Sequence, residues 1–407
     1  MATSSGINKV TAYAKETTAG TAANVANGVV ARRVSSNFNL QKETYQSDEI
    51  RVDYQMADYR HSTRTVDGSL SSELFAGAWE DFFAAALSRD FTAGATTGAA
   101  SATFAVDAGA GTITRSAGDF LTDGFKVGEI VRATGFAQAG NNDNNLLILS
   151  VTSTVLTVVV LGDTPLVTEA EGELVTVAAT GQKTYAPQTG HTDDSFTFEE
   201  YYSDIDESEV FVGNKVNSAA VSLPATGMAT VDFGFMGIDF DETNSGSGQY
   251  FTAPVEAGCG GFFAAVNGAL IVNGVAVALV TSVDFTINRN LSTQAVVGSN
   301  VTPEVYEGRI LVDGSFSTLF EDGTFRDYFV NETEVALAVA LTASNEKDAD
   351  AISFVFPRIK INSADKDDGE NQITSTHSFQ ALLKCDNAGA GTDSEKTTMV
   401  VQDTSLV

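Results

Sequence analysis

Two stretches decide the fold: VDGSLSSELFAGAWEDFF at 66–83 and VDGSFSTLFEDGTFRDYF at 312–329. They align without a gap at an offset of 246, and 8 of the 18 positions are identical, Val66/Val312, Asp67/Asp313, Gly68/Gly314 and Phe83/Phe329 among them. Trp79 aligns with Phe325, and Phe82 with Tyr328. Upstream, NGVVARRVSSNFNL (27–40) parallels NGVAVALVTSVDFTI (273–287) with one residue slipped. A duplicated module of this size points to assembly geometry before it points to chemistry.

The duplication also locates an insertion. KVNS at 215–218 matches KINS at 360–363 at an offset of only 145, so the first copy holds extra residues. The segment 92–189, where the composition shifts, is the candidate. The expected organisation is module 1 from 1–91 and 190–245, an insert at 92–189, module 2 at 246–384 and a polar tail at 385–407. A self-contained insert would have its ends close together and would be removable.

The patterning is mainly β. Val34, Ser36, Phe38 and Leu40 alternate as in a half-buried strand. The long polar run Gln41–Thr65 reads as a hairpin that either projects or pairs with a neighbour. Asp67-Gly68 reads as a turn or bulge. A helix is expected to follow, capped by Ser71 or Ser72, with Phe75, Trp79, Phe82 and Phe83 as core anchors on one face. Phe325, Tyr328 and Phe329 repeat that face in a shorter second helix, with Phe325 and Phe329 as its anchors. The insert reads as small all-β, with short strands between 102 and 178. Strands are also expected at 229–240 and 373–383.

Composition sets limits. Hydrophobic residues make up 43% of the 407, enough for true cores. No run approaches eighteen apolar residues, so no transmembrane helix is expected, and the N-terminus lacks the apolar stretch of a signal peptide. The chain is expected to stay in the cytoplasm where it is made. The formal net charge of −30 argues against direct binding of nucleic acid phosphates. Cys259 and Cys385 are too far apart for a metal spacing and read as two free, buried thiols.

No catalytic, cofactor-binding or metal-binding constellation emerges. His61, His191 and His377 have no HxH or HExxH partner, and Gly258-Cys259-Gly260-Gly261 lacks the Lys-Ser/Thr of a phosphate loop. Two acidic clusters stand out. The first includes Glu199, Glu200, Asp204, Asp206, Glu207 and Glu209; the second is Asp365, Asp367, Asp368 and Glu370. Neither has the spacing of a calcium loop. Glu199 and Glu200 point to opposite strand faces and cannot form one dyad.

The stretch 32–87, the KVNS strand and the ATVDFGFMG strand together resemble tail tube proteins of long-tailed, siphovirus-like bacteriophages. The order of strand, polar hairpin, VDG, aromatic helix and later strands carries the resemblance. It implies β-sandwich or barrel modules, each with one flanking helix, joined edge to edge in rings of six. Such rings stack into a tube that houses a tape-measure protein and conducts double-stranded DNA without specific binding. Tail tip and terminator proteins would be further partners, with no membrane contact and no cofactor. Two modules per chain imply a trimeric, pseudo-hexameric ring in a non-contractile tail.

The resemblance further implies that the long hairpins touch the adjacent ring. That assigns Glu43, Tyr45, Asp48, Arg51, Tyr54, Tyr59, Arg60, His61 and Arg64 in the first copy. In the second it assigns Asn290, Glu304, Tyr306 and Arg309, within 288–311. The first acidic cluster, from Glu199 to Glu209, becomes the candidate lumen lining. The competing readings are a secreted or surface-exposed tandem-module adhesin, which needs an export signal, and a carbohydrate-active β-protein, which needs a carboxylate pair in an aromatic groove.

Overall fold

The computed structural model describes residues 3–98, 102–256, 258, 260–277, 279–367 and 372–406. Strands dominate. The described residues hold three short α-helices, Glu80–Leu87, Phe120–Asp123 and Thr324–Val330.

One antiparallel sheet forms the spine. In module 1, Ser35–Gln46 pairs with Tyr59–Glu73, which pairs with Thr230–Gly237, which pairs with the C-terminal half of Glu207–Pro224. Module 2 repeats that order with Val280–Asn288, Leu311–Leu319, Thr374–Ala381 and the end of Ala351–Ile361. The registers coincide as well. Gly68 stands between Phe38 and Phe235, and Gly314 between Phe285 and Phe379.

This register explains the VDG motif. Asp67-Gly68 is not a turn; it lies in the middle of Tyr59–Glu73. A Cβ on Gly68 would sit 2.3 Å from the Phe38 ring, and one on Gly314 would sit 2.5 Å from the Phe379 ring. The glycine is there so that an aromatic ring on the next strand can lie across it. Ser71 and Ser72 belong to the same strand and cap nothing.

A second layer covers the spine. In module 1 it consists of Lys9–Lys15, Phe196–Tyr202 and the first half of Glu207–Pro224. That last strand passes from one layer to the other and turns at Gly213, whose φ of +69° and contact with Ile238 exclude a side chain. The helix Glu80–Leu87 lies between the layers. Phe82 meets Tyr13 at 4.6 Å and Phe196 at 5.3 Å on one side, and Phe233 at 5.1 Å and Phe235 at 5.3 Å on the other. Phe75 and Trp79 are core residues but precede the first helical turn.

The second helix is different. None of its residues is buried. Phe325 packs half-buried against Phe316 and His377, at 5.2 and 4.8 Å. Phe329 is 41% exposed and is no core anchor, whereas its counterpart Phe83 is 1% exposed. The sheet beneath carries His377 where module 1 carries Phe233, and both ring nitrogens of this buried histidine lack a partner among the described residues. Burial pushes the His377 pKa down, disfavouring the charged ring.

The segment between the two parts of module 1 folds as a seven-stranded sheet in the order Glu169–Leu174, Thr103–Asp107, Thr112–Arg115, Val155–Val160, Leu146–Val151, Ile130–Thr134, Thr176–Ala179. It has its own core around Phe104, Phe120, Phe125, Ile148 and Leu156. Ile130 and Leu147 face outward from that core and pack on Ile271, Ala338, Ala340, Val355 and Val400, most of them in module 2.

The C-terminal segment locks this arrangement. Val400–Asp403 pairs with Gln182–Tyr185 on one side and with Ala351–Ile361 on the other. Gln402 accepts from Ile130 N–H and donates to the carbonyls of Ile130 and Thr180. The buried Lys183 pairs with Glu129 and, at 2.9 Å, with Glu395. These contacts make the tail a docking strand.

Gly68→Val and Gly314→Val are each expected to cost roughly 1–3 kcal/mol through overpacking, read by urea unfolding. Gly172→Val, which meets nothing within 4 Å, is expected to be neutral. Excising 96–178 leaves the backbone link from Ala179 N–H to Ala95 C=O close to the join and is expected to yield a folded chain that aggregates through its bared Ile271–Ala338–Val355 face. Excising 92–189 also removes Gln182–Tyr185 and is expected to free the C-terminal strand, seen as rapid proteolysis beyond residue 385.

Candidate assembly surfaces

The outer face of the spine is built from short polar side chains. Along its strands the residues alternating with the core are Asn37 and Asn39, then Asp67, Ser69 and Ser71, then Thr230 and Asp232. They continue as Ser218, Ala220 and Ser222, then Ser282, Asp284 and Thr286, then Asp313, Ser315 and Ser317, and finally Thr376, Ser378 and Gln380. The seven strand segments 35–41, 65–73, 230–236, 218–224, 282–288, 311–319 and 374–380 contain no Lys or Arg. Asp67, Glu73, Asp232, Asp284 and Asp313 stand on this face, and Lys360, opposite Gln380 on the end of Ala351–Ile361, is a cation at its module 2 edge. Sequence reasoning missed this surface. The signal was available as the absence of basic residues from seven strand segments that share one face.

The two modules meet within that sheet. Glu207–Pro224 of module 1 pairs with Val280–Asn288 of module 2, from Ser218↔Asn288 to Pro224↔Ser282. Beside the seam, the buried Arg289 donates to the carbonyls of Ala85 and Ala86 at 3.1 and 3.3 Å and bonds Ser88 Oγ, all at the C-terminus of the module 1 helix. Cations are favoured there because the last carbonyls of a helix carry partial negative charge. Arg289 also pairs with Glu307 at 2.5 Å, and Lys215 pairs with Asp193 at 2.5 Å. Burial pulls the Arg289 pKa down and pushes that of Glu307 up.

The first hairpin projects. Ser35–Gln46 and Tyr59–Glu73 run together out to the pair Gln46↔Tyr59, and residues 47–58 beyond are exposed. Ile50, Val52 and Tyr54 are almost wholly in solvent, and Met56 is more than half exposed. Glu43, Tyr45, Asp48, Arg51, Tyr59, Arg60 and His61 are exposed on the same projection. Arg64 is not. It lies at the hairpin base and pairs with Asp239 at 2.7 Å.

The second segment, 288–311, is not a projecting hairpin. Its apolar Leu291 and Val305 are buried against Ile238 of module 1, and Thr302 Oγ1 donates to Arg64 C=O. Asn290, Glu304, Tyr306 and Arg309 remain exposed on its outer side. The copy folds back because it has the apolar residues to do so; the first copy is polar throughout its base.

The first acidic cluster divides in two. Glu199 and Glu200 are buried and cannot line any open surface of this chain. Glu199 accepts from Ser208 Oγ and from the N–H groups of Tyr250 and Phe251, and Glu200 pairs with Lys9 at 2.6 Å. Burial raises the Glu200 pKa despite that lysine. Asp204, Asp206 and Glu207 are exposed around a turn, where Asp204 accepts from Ser4, Ser5 and Asn8, while Glu209 is half-buried. In the second cluster Asp365 and Asp367 are exposed, and Asp368 and Glu370 lie outside the described residues, as does Cys259. Cys385 is a free thiol but is exposed, not buried as expected, because it lies beyond the last core strand of module 2.

Among the described residues no helix is long and apolar enough to cross a membrane. No curated protein sequence matches the chain. A sequence model of the family described as "Phage tail tube protein" matches residues 6–381, nearly the whole length. With that match spanning both modules and the segment between them, the chain belongs to the phage tail tube protein family and is a structural component of the virion tail.

Proposed function

We propose that three copies of this chain close into a ring of six quasi-equivalent modules, and that the rings stack into the hollow tube of a non-contractile tail. The observation that supports this reading is the seam inside the chain. Two modules with the same strand order already share one sheet, edge to edge, through the pairing of Glu207–Pro224 with Val280–Asn288. A contact between equivalent elements of successive units repeats, and repetition under rotation closes into a ring. Closure also removes the open sheet edges that each single copy presents.

In this ring the polar, mostly acidic face of the spine lines the lumen. Its short hydroxyl and amide side chains keep the bore smooth, and Asp67, Asp232, Asp284 and Asp313 repel the phosphates of passing double-stranded DNA. A tape-measure protein occupies the same bore before ejection. The projecting hairpin 41–65 carries the stacking contact, because Ile50, Val52, Tyr54 and Met56 would be buried against the next ring. Tail tip and terminator proteins cap the stack at its two ends, and assembly takes place in the host cytoplasm.

Electron microscopy of the concentrated protein is expected to show hollow tubes whose rings average with threefold symmetry. Rings of six full chains would overturn the trimer. Replacing Ile50, Val52 and Tyr54 together with Ser is expected to leave single rings without tubes. A triple Asp232→Lys, Asp284→Lys, Asp313→Lys variant is expected to assemble but to retain DNA, measured as slowed genome release. Unchanged release would remove the lumen assignment.

A further inference from the structure

Resting on the ring reading, we infer that the seam inside the chain is also the template for the contact between chains, residue by residue. Two sheet edges are open. Among the described residues, Ser35–Gln46 pairs only with Tyr59–Glu73, and Asp365–Lys366 pairs only with Thr374–Ala381. These are the counterparts of the two strands that meet at the internal seam. Phe38 corresponds to Phe285, because each lies across from the glycine of a VDG motif. Asp365 and Lys366 correspond to Ala220 and Val221, because each pair holds the same register on the neighbouring strand, against Thr376 and Ser375 or against Asp232 and Val231.

Transferring the internal register, Ala220↔Thr286 and Val221↔Phe285, gives the contact between copies. Asp365 of one copy lies opposite Asn39 of the next, Lys366 opposite Phe38, and Ser363 opposite Gln41. The occupant of each open edge is therefore a second copy of this chain.

A second feature follows from the same transfer. Arg289, the residue after the seam strand Val280–Asn288, caps the end of the module 1 helix. Its counterpart in module 1 is Lys42, which is exposed and forms no ion pair among the described residues. The helix end that awaits it is that of Thr324–Val330, where Asn331 and Glu332 take the places of Ala85 and Ala86. Glu332 is 83% exposed there and Glu334 is 43% exposed; each lies 3.7 Å from Lys360, and Glu334 also pairs with Arg358 at 2.5 Å, so a further cation would join an existing cluster. Lys42 of the next copy would meet both the helix carbonyls and these carboxylates. The exposure of Phe329, set against the burial of Phe83, fits a helix whose cover belongs to another copy. That cover is not identical in every residue: Glu209 stands where Phe354 packs on Phe83 at 5.8 Å. Strand register and charge pairing therefore carry the inference.

The test uses the full chain with Cys259→Ser and Cys385→Ser. In this background Asn39→Cys with Asp365→Cys places two thiols directly across the proposed contact, within disulfide reach. Mild oxidation is expected to give dimer and trimer bands on denaturing gels and nothing larger. Asn37→Cys with Asp365→Cys, slipped by two residues, is expected to cross-link roughly tenfold less, since diagonal neighbours lie farther apart. Lys42→Glu is expected to weaken ring formation roughly tenfold with an unchanged melting profile, and Lys42→Arg to preserve it. Rings seen by microscopy with cross-linking only in the slipped pair, or in neither pair, would overturn the register and leave the ring standing. Failure to assemble or cross-link under any condition that yields folded protein would overturn both.

Discussion

Everything in this structure answers to the need to satisfy the backbone of an edge strand. A flat antiparallel sheet ends in a row of unpaired N–H and C=O groups, and these invite another strand. Here one such edge is satisfied inside the chain, where Glu207–Pro224 receives Val280–Asn288 over seven residue pairs. That pairing fixes the rotation between modules. It thereby sets where the polar face points, where the helix ends lie and which edges remain for other copies. A duplication could have produced two modules on a flexible tether. Instead the second module's first spine strand is built directly onto the first module's last one.

The packing beneath that sheet explains why so few residues suffice to mark the repeat. The glycine of each VDG lies under two phenylalanines from the flanking strands, so three strands are locked in register at one point. Rings such as Phe38 on Phe198, at 4.3 Å, then pass the constraint to the second layer. Module 1 fills the space between its layers with a helix of six buried residues. Module 2 fills it less completely, with His377 in place of an aromatic ring and a helix left open to solvent. The asymmetry fits a chain whose two modules differ in what covers them: module 1 is covered by module 2.

The inserted sheet is attached more firmly than an appendage would be. Its apolar outer face rests on Ile271, Ala338, Ala340 and Val355 of module 2, and the C-terminal strand is threaded between the returning strand Gln182–Tyr185 and Ala351–Ile361. The buried Lys183 with Glu129 and Glu395 would be costly to expose singly, because removing either sign leaves an unpaired charge out of water. The last residues of the chain thus close a structure begun by its first module.

The sequence by itself determined the repeat, the β character and the family, because these rest on local alternation and on identities that survive alignment. It also contained, unread, the absence of Lys and Arg from seven strand segments; that pattern acquires meaning only when the strands are known to share a face. Tertiary structure alone decided the rest. Glu199 and Glu200 look like surface acids in sequence but are buried, because the partners that neutralise or bond them, Lys9 and the N–H groups of Tyr250 and Phe251, are far away along the chain. Phe329 reads as a core residue by its helical spacing but is exposed, because periodicity reports which face is apolar and not whether the same chain covers it. Gly68 reads as a turn until the rings of Phe38 and Phe235 are placed across it, since a glycine's role depends on what approaches it in space.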